Sequence, residues 1–200
     1  MTRKNTWDKK IKIGNKYVPK KRILRHYAKL WKNDPYFRRL VTTDGVFVRA
    51  VYNNRPVIKR RRIKIKSFED LRELIKEHAV EFHIPQKKLK HEMAIDIDVP
   101  KRWQKNGKRI EVLNACIDHL KKEVRVKAIV KTPSGYHIHI DRIPKRKVKK
   151  LLKPVADRYA PLVTLGKEKN KRKIIIDVAE PNIAIPGSLS ITGKVYKKLR

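Results

Sequence analysis

Five residues carry side chains suited to chemistry on a phosphate ester: Asp96, Asp98, His137, His139 and Asp177. The first two stand in "AIDID" (residues 94–98). In an extended strand successive side chains alternate, so Ile95 and Ile97 face a core while the two carboxylates share the other face. Uncompensated carboxylates at that spacing repel one another, and a hard divalent cation between them makes the pair favourable. Neutralisation by surrounding lysines, as surface ion pairs, is the alternative. In "KTPSGYHIHI" (131–140), His137 and His139 share one strand face and Tyr136, Ile138 and Ile140 the other; a solvated strand face is the plainer use of such a pair. Ser134 and Gly135 form the turn that delivers His137 to the sheet, where exposed backbone amides would meet a phosphate. Asp177 ends the apolar strand "KIIIDV" much as Asp98 ends its own. Three strand-borne aspartates and a histidine behind a Ser-Gly turn suit two-metal phosphoryl transfer. Cations ~3.5–4 Å apart would activate an attacking 3′-oxygen and steady a leaving pyrophosphate.

The elements that must hold these residues can be read from periodicity. "KKRILRHYAKLWKN" (20–33) is apolar at Ile23, Leu24, Tyr27, Leu30 and Trp31, which is helical spacing. "VFVRAVY" and "VIKRRRIKIK" read as strands joined through "NNRP". "SFED" has the form of a capping box in which Ser67 opens a helix carrying Leu71, Leu74 and Ile75 on one face. From residue 91 the order is strand, helix ("RIEVLNACIDHLKKE"), strand ("VRVKAIVKT"), turn and strand. A Lys-rich helix (145–159) kinked at Pro154 follows, then the Asp177 strand and a Gly/Pro-punctuated tail. Strands alternating with helices, one hairpin among them, give an α/β (α+β) fold with a mixed sheet covered by helices. Residues 1–20 are expected to be a basic arm, irregular or a small hairpin, and 21–200 a single domain.

The chain holds 54 Lys and Arg against 19 Asp and Glu, a formal net charge of +35 in 200 residues. A field this positive attracts polyanions, and nucleic acid is the commonest inside cells. Hydrophobic residues at 40% still allow a packed core. A lone cysteine, Cys116, excludes an internal disulfide and a multi-cysteine zinc site, and its helical setting reads as a small buried hydrophobe. Residues 1–20 lack the apolar core of a signal peptide and no stretch is long enough to span a bilayer, so an intracellular, cytoplasmic protein without a membrane partner is expected.

"AIDID", "SGYHIHI" and "IIID", followed by "IPGSLSITGK", together resemble the catalytic small subunit of archaeo-eukaryotic primases, in the family's order and over roughly residues 20–200. "IKIKSFEDLRELIKEHA" resembles the segment before the first motif in archaeal members. The resemblance implies an α/β catalytic core with RRM-like strands, flanked by helices. It implies metal binding, by Mg²⁺ or Mn²⁺, at Asp96, Asp98 and Asp177. Ser134, Gly135 and His137 would meet the triphosphate of the incoming nucleotide, with His139 beside them or only supporting the site, and Ser188 and Lys194 would contribute from the P-G-S-L segment. The implied partners are a single-stranded DNA template, nucleoside triphosphates, and a primase large subunit or other replication protein. This sequence departs from the family where Ala184 and Ser190 replace an Arg and a His flanking P-G-S-L, where the zinc-binding cysteines are absent, and in length. A minimal or degenerate relative is thereby also in view.

The basic runs "KRRRIKIK" and "KRKVKKLLK" are expected phosphate-backbone contacts, with Arg60, Arg61, Arg62, Lys147 and Lys150 as representatives, although each also reads as a solvated basic face. Trp103, in "PKRWQKNGK", is the preferred base-stacking candidate over Trp7 and Trp31. The leading function is a DNA primase or primase-polymerase nucleotidyltransferase. A nucleic-acid-binding module that has lost nucleotide transfer stands beside it. A nickase using the His pair and a tyrosine such as Tyr159 would leave the aspartates unexplained.

Overall fold

The computed structural model describes residues 6–13, 16–44, 46–52, 55–76, 79–103, 107–166, 172–178, 182–190 and 195–199. The chain divides into two compact units, Met1–Lys88 with Ala184–Lys197 and Leu89–Ile183 with Lys198–Arg200. The expected 21–200 domain spans parts of both.

In the first unit, β1 (Lys10–Ile13) and β2 (Lys16–Pro19) form an antiparallel hairpin within the expected basic arm. Helix α1 (Lys20–Asn33) buries Ile23 and Tyr27, one turn apart on one face. It stops at Asp34, whose carboxylate accepts from the amides of Tyr36 and Phe37 and so caps α2 (Pro35–Val41), a helix that periodicity alone does not announce. Strands β3 (Phe47–Tyr52) and β4 (Arg55–Arg62) pair antiparallel, the second ending four residues before its expected limit. The capping box is present at α3 (Phe68–Lys76). There Ser67 Oγ accepts from the Asp70 amide, and Asp70 Oδ2 accepts from the amides of Lys66 and Ser67. An unexpected strand, β5 (Ala79–Pro85), pairs with β3.

The second unit carries the chemistry. Its elements are β6 (Glu92–Asp98), α4 (Lys108–Lys121), β7 (Val126–Lys131), β8 (Gly135–Asp141), α5 (Lys145–Arg158), β9 (Val163–Leu165) and β10 (Ile174–Asp177). Then β11 (Asn182–Ala184) joins a four-stranded sheet of order β11-β5-β3-β4, and β12 (Lys197–Lys198) edges a six-stranded sheet of order β12-β7-β8-β6-β10-β9. That larger sheet is mixed, with β9 and β10 parallel and β10-β6-β8-β7 antiparallel. The order β10-β6-β8-β7, with helices after the first and third strands in sequence, is a split β-α-β arrangement. It places "AIDID" and "YHIHI" on the two central strands, the positions best fixed by neighbours on both sides.

One face of this sheet is the core. Ile95, Ile97, Ile129, Ile138, Ile140, Ile174 and Ile176 pack with Val112, Leu113, Cys116, Ile117 and Leu120 of α4 and Val148, Leu152 and Val155 of α5. Each such side chain contributes roughly 1.5–3 kcal/mol by leaving water, which fixes both helices to the isoleucine face. Cys116 is fully buried there, and burial pushes its thiol up to about 12. Among the described residues no helix is long and apolar enough to cross a membrane.

Candidate active site

Because α4 and α5 hold the isoleucine face, strand alternation assigns Asp96, Asp98, His137, His139 and Asp177 to the other. The register then lines them up. Asp177 is directly opposite Asp96, and Asp96 is directly opposite His137, so three strands carry one row, Asp177–Asp96–His137. Asp98 lies one step further along β6, opposite Gly135 and Ile175. His139 lies the other way, between Ala94 and Ala128, whose small side chains leave room for its ring. It is fully buried, 6.5 Å from the His137 ring and tilted by 49°.

Burial sets the electrostatics. Asp96, His137 and Asp177 are each 7–8% exposed, while Asp98 is the most open of the aspartates. His137 Nε2 lies 3.2 Å from Asp96 Oδ1, yet their alignment is too poor for a hydrogen bond. Asp96 Oδ1 and His137 Nδ1 are buried with no hydrogen-bond partner among the described residues. The Asp98 carboxyl titrates above the usual range. Loss of water around it is the largest cause and the Asp96 charge the next; a hydrogen bond from Ser134 and the His137 charge pull the other way, and Asp177 adds to the rise. Asp96 and Asp177 are thus like charges on one row, with Asp98 beside them.

The backbone of the Ser-Gly turn is bonded within the protein. The Gly135 amide is already donated to Thr132 Oγ1 at 2.8 Å, the Thr132 amide returns to Gly135 O at 2.9 Å, and the Val99 amide reaches Ser134 O at 2.8 Å. The turn thus clamps the end of β6. Glycine is required because a Cβ at 135 would stand 1.8 Å from Ile97 O. Thr132 does not stand out in the sequence; its place three residues before the glycine is the only signal.

Hard carboxylate oxygens in this number fit a divalent cation in type and charge. Among the described residues, however, no three His, Cys, Asp or Glu side chains are drawn into one coordination sphere as they stand.

Ser188 belongs to the first unit, where its hydroxyl donates to Ile185 O; Lys194 lies outside the described residues. Ala184 and Ser190 are both buried at 2% exposure. Arg60, Arg61 and Arg62 have their backbone in β4, with side chains outside the described set. Trp103 is half-buried against the isoleucine-face core; its indole donates to Arg172 O and the Arg102 guanidinium lies 5.2 Å over its ring. Trp31 packs near Phe68, and Arg72 lies over Trp7. Lys147 and Lys150 are on α5, across the sheet from the aspartates, as is Tyr159, which packs on the isoleucine-face core away from the histidine pair. A further polar cluster that no spacing announces is Glu81, buried in the first unit with His83 Nε2 at 2.5 Å and the Tyr196 hydroxyl at 2.7 Å.

No family model and no curated protein sequence matches the chain. Among solved structures it is similar to the polymerase domain from Mycobacterium tuberculosis ligase D, in complex with DNA. The TM-score is 0.71 at 17% identity, over 100% of this chain and 87% of that one. The two share a fold, the mixed α/β arrangement with helix-flanked sheet.

Proposed function

We propose that this protein is a nucleotidyltransferase of the primase-polymerase type, joining NTPs or dNTPs on a single-stranded DNA template. The observation that carries this reading is the row Asp177–Asp96–His137, set across three neighbouring strands with Asp98 beside it. The shared fold with a polymerase domain in complex with DNA, and the net charge of +35, support it.

Asp96, Asp98 and Asp177 would hold Mg²⁺ or Mn²⁺, which supplies charge neutralisation for the attacking oxygen and the departing pyrophosphate. Two of these carboxylates reside on the rigid central strand, which fixes their spacing before nucleotide arrives. Ser134, hydrogen-bonded to Asp98, orients that carboxylate. Among the described residues His137 Nδ1 has no hydrogen-bond partner, and this histidine would contact a phosphate oxygen of the nucleotide. His139, enclosed by alanines, supports His137 rather than touching substrate.

A second reading is a nucleic-acid-binding module on the same fold without nucleotide transfer. Two observations favour it: the aspartates are not gathered into one coordination sphere, and Ala184 and Ser190 offer no charged side chain. Primer extension with labelled nucleotides on single-stranded DNA, with each metal offered, separates the two. Incorporation that requires metal and disappears in Asp96→Ala supports the enzyme. A folded, DNA-binding wild type that incorporates nothing with either metal supports the module.

A further inference from the structure

Lys147 and Lys150 read from sequence as template contacts, but α5 packs through Val148, Leu152 and Val155 on the isoleucine face. Its basic surface is therefore on the far side of the sheet from the aspartate row. Between α4 and α5 this surface opens into a groove of about 530 Å³. The lining carries three cationic side chains, Arg146, Lys147 and Lys150, on one side and His119 on the other; Glu123 is the one carboxylate, paired with Lys147 at 2.8 Å. Half-buried Leu151 and exposed Pro154 add an aliphatic part to the lining.

We propose that this groove docks an acidic segment of a partner protein that carries an aliphatic side chain. Two features favour a peptide over a nucleic-acid strand. Single strands are held by aromatic platforms on which bases stack, and among the described residues the groove lining holds no Phe, Tyr or Trp. The aliphatic part of the lining, Leu151 and Pro154, instead suits contact with a Leu- or Ile-sized side chain, which supplies the apolar burial that a strand of phosphates lacks. The cationic side chains then select negative charge and steer encounter.

The probe is a short fluorescein-labelled peptide of Asp, Glu and Leu, titrated by anisotropy at near-physiological salt against the full-length protein. Controls are the same peptide with Ser for Leu and a labelled oligo-dT. The proposal expects the Leu peptide to bind. Lys150→Glu and Leu151→Ser should each weaken it by about tenfold, the equivalent of 1.4 kcal/mol, and so should replacing the peptide's leucines. Lys29→Glu, on the exposed face of α1, should change it little. Near-UV circular dichroism of each variant establishes folding. The idea is overturned if the peptide does not bind, or if Lys29→Glu weakens it as much as Lys150→Glu, since net charge alone would then explain binding. It is also overturned if the groove variants weaken oligo-dT more than the peptide, which makes the groove a nucleic-acid site.

Discussion

Asp177 lies directly opposite Asp96 across the antiparallel β10–β6 pair, and neither is more than 8% exposed. Like charges in that relationship destabilise a sheet by roughly 0.2–1 kcal/mol. Asp96→Asn should therefore stabilise chelator-treated protein by about that amount in denaturant unfolding. With Mn²⁺ present the order should reverse. A cation at ~100 times its dissociation constant adds about 2.7 kcal/mol to the wild type, while the variant, short of a ligand, gains far less. Equal stabilisation of both proteins by Mn²⁺ would remove Asp96 from the metal site.

The raised Asp98 carboxyl has a pH signature in the metal-free protein. A carboxyl that titrates higher folded than unfolded binds more protons in the folded state between the two pKa values, so stability falls as pH rises through that window. The favourable contribution is complete below the unfolded value, near 3.9, and gone above the folded one. Asp98→Asn should flatten this part of the stability–pH curve, seen as a difference from wild type in urea unfolding across the acid range. A difference curve with the opposite slope would mean that the Ser134 hydrogen bond and the His137 charge outweigh burial and the neighbouring aspartates.

Gly135 and Gly107 make a matched pair of substitutions. A methyl group at 135 meets the Ile97 carbonyl at 1.8 Å, whereas nothing lies within 4 Å of one at 107. Backbone cannot yield as a side-chain tip does. Gly135→Ala should thus cost at least the roughly 1–3 kcal/mol typical of overpacking, and it should weaken Mn²⁺ binding by prising β8 from β6. Gly107→Ala should be neutral or stabilising, by up to about 1 kcal/mol. Similar denaturation midpoints for the two variants would contradict the close approach of the turn to β6.

What could be read from sequence follows how local each signal is. Period-two alternation is enough to put Asp96 and Asp98 on one face, and the Ser67–Asp70 box declares itself within four residues. That Asp177 faces Asp96 depends on a register between strands about eighty residues apart, which no spacing reports. Strand β5 is hidden because Glu81 and His83 interrupt its apolar run. Glu81 is buried with His83 and, 115 residues away, the Tyr196 hydroxyl as partners, and the second is invisible to local spacing. Basic residues are the hardest to place. Lys150 and Arg61 look alike in sequence, and only the packing of Val148, Leu152 and Val155 shows that the α5 lysines stand behind the sheet.

The placement of the α5 lysines can be tested through salt. Each phosphate neutralised on a single strand contributes about −0.7 to the slope of log affinity against log salt concentration. With a net charge of +35 the wild-type slope on oligo-dT should be steep. If template runs past the aspartate face, charge reversal at Lys150, across the sheet, should leave the slope nearly unchanged, because α5 neutralises no phosphate there. Arg61→Glu, in the basic strand β4, should reduce the slope's magnitude by about 0.7 for each phosphate it no longer neutralises. Asp96→Asn should bind slightly more tightly in chelator, since one repulsive charge near the strand is removed. The same phosphates are neutralised as before, so its slope should match the wild type. Fluorescence anisotropy at four or five salt concentrations, from low to moderate, reads all three. A flat wild-type salt dependence would dismiss the electrostatic account of binding. A Lys150→Glu slope reduced as much as that of Arg61→Glu would instead put the template on the α5 face.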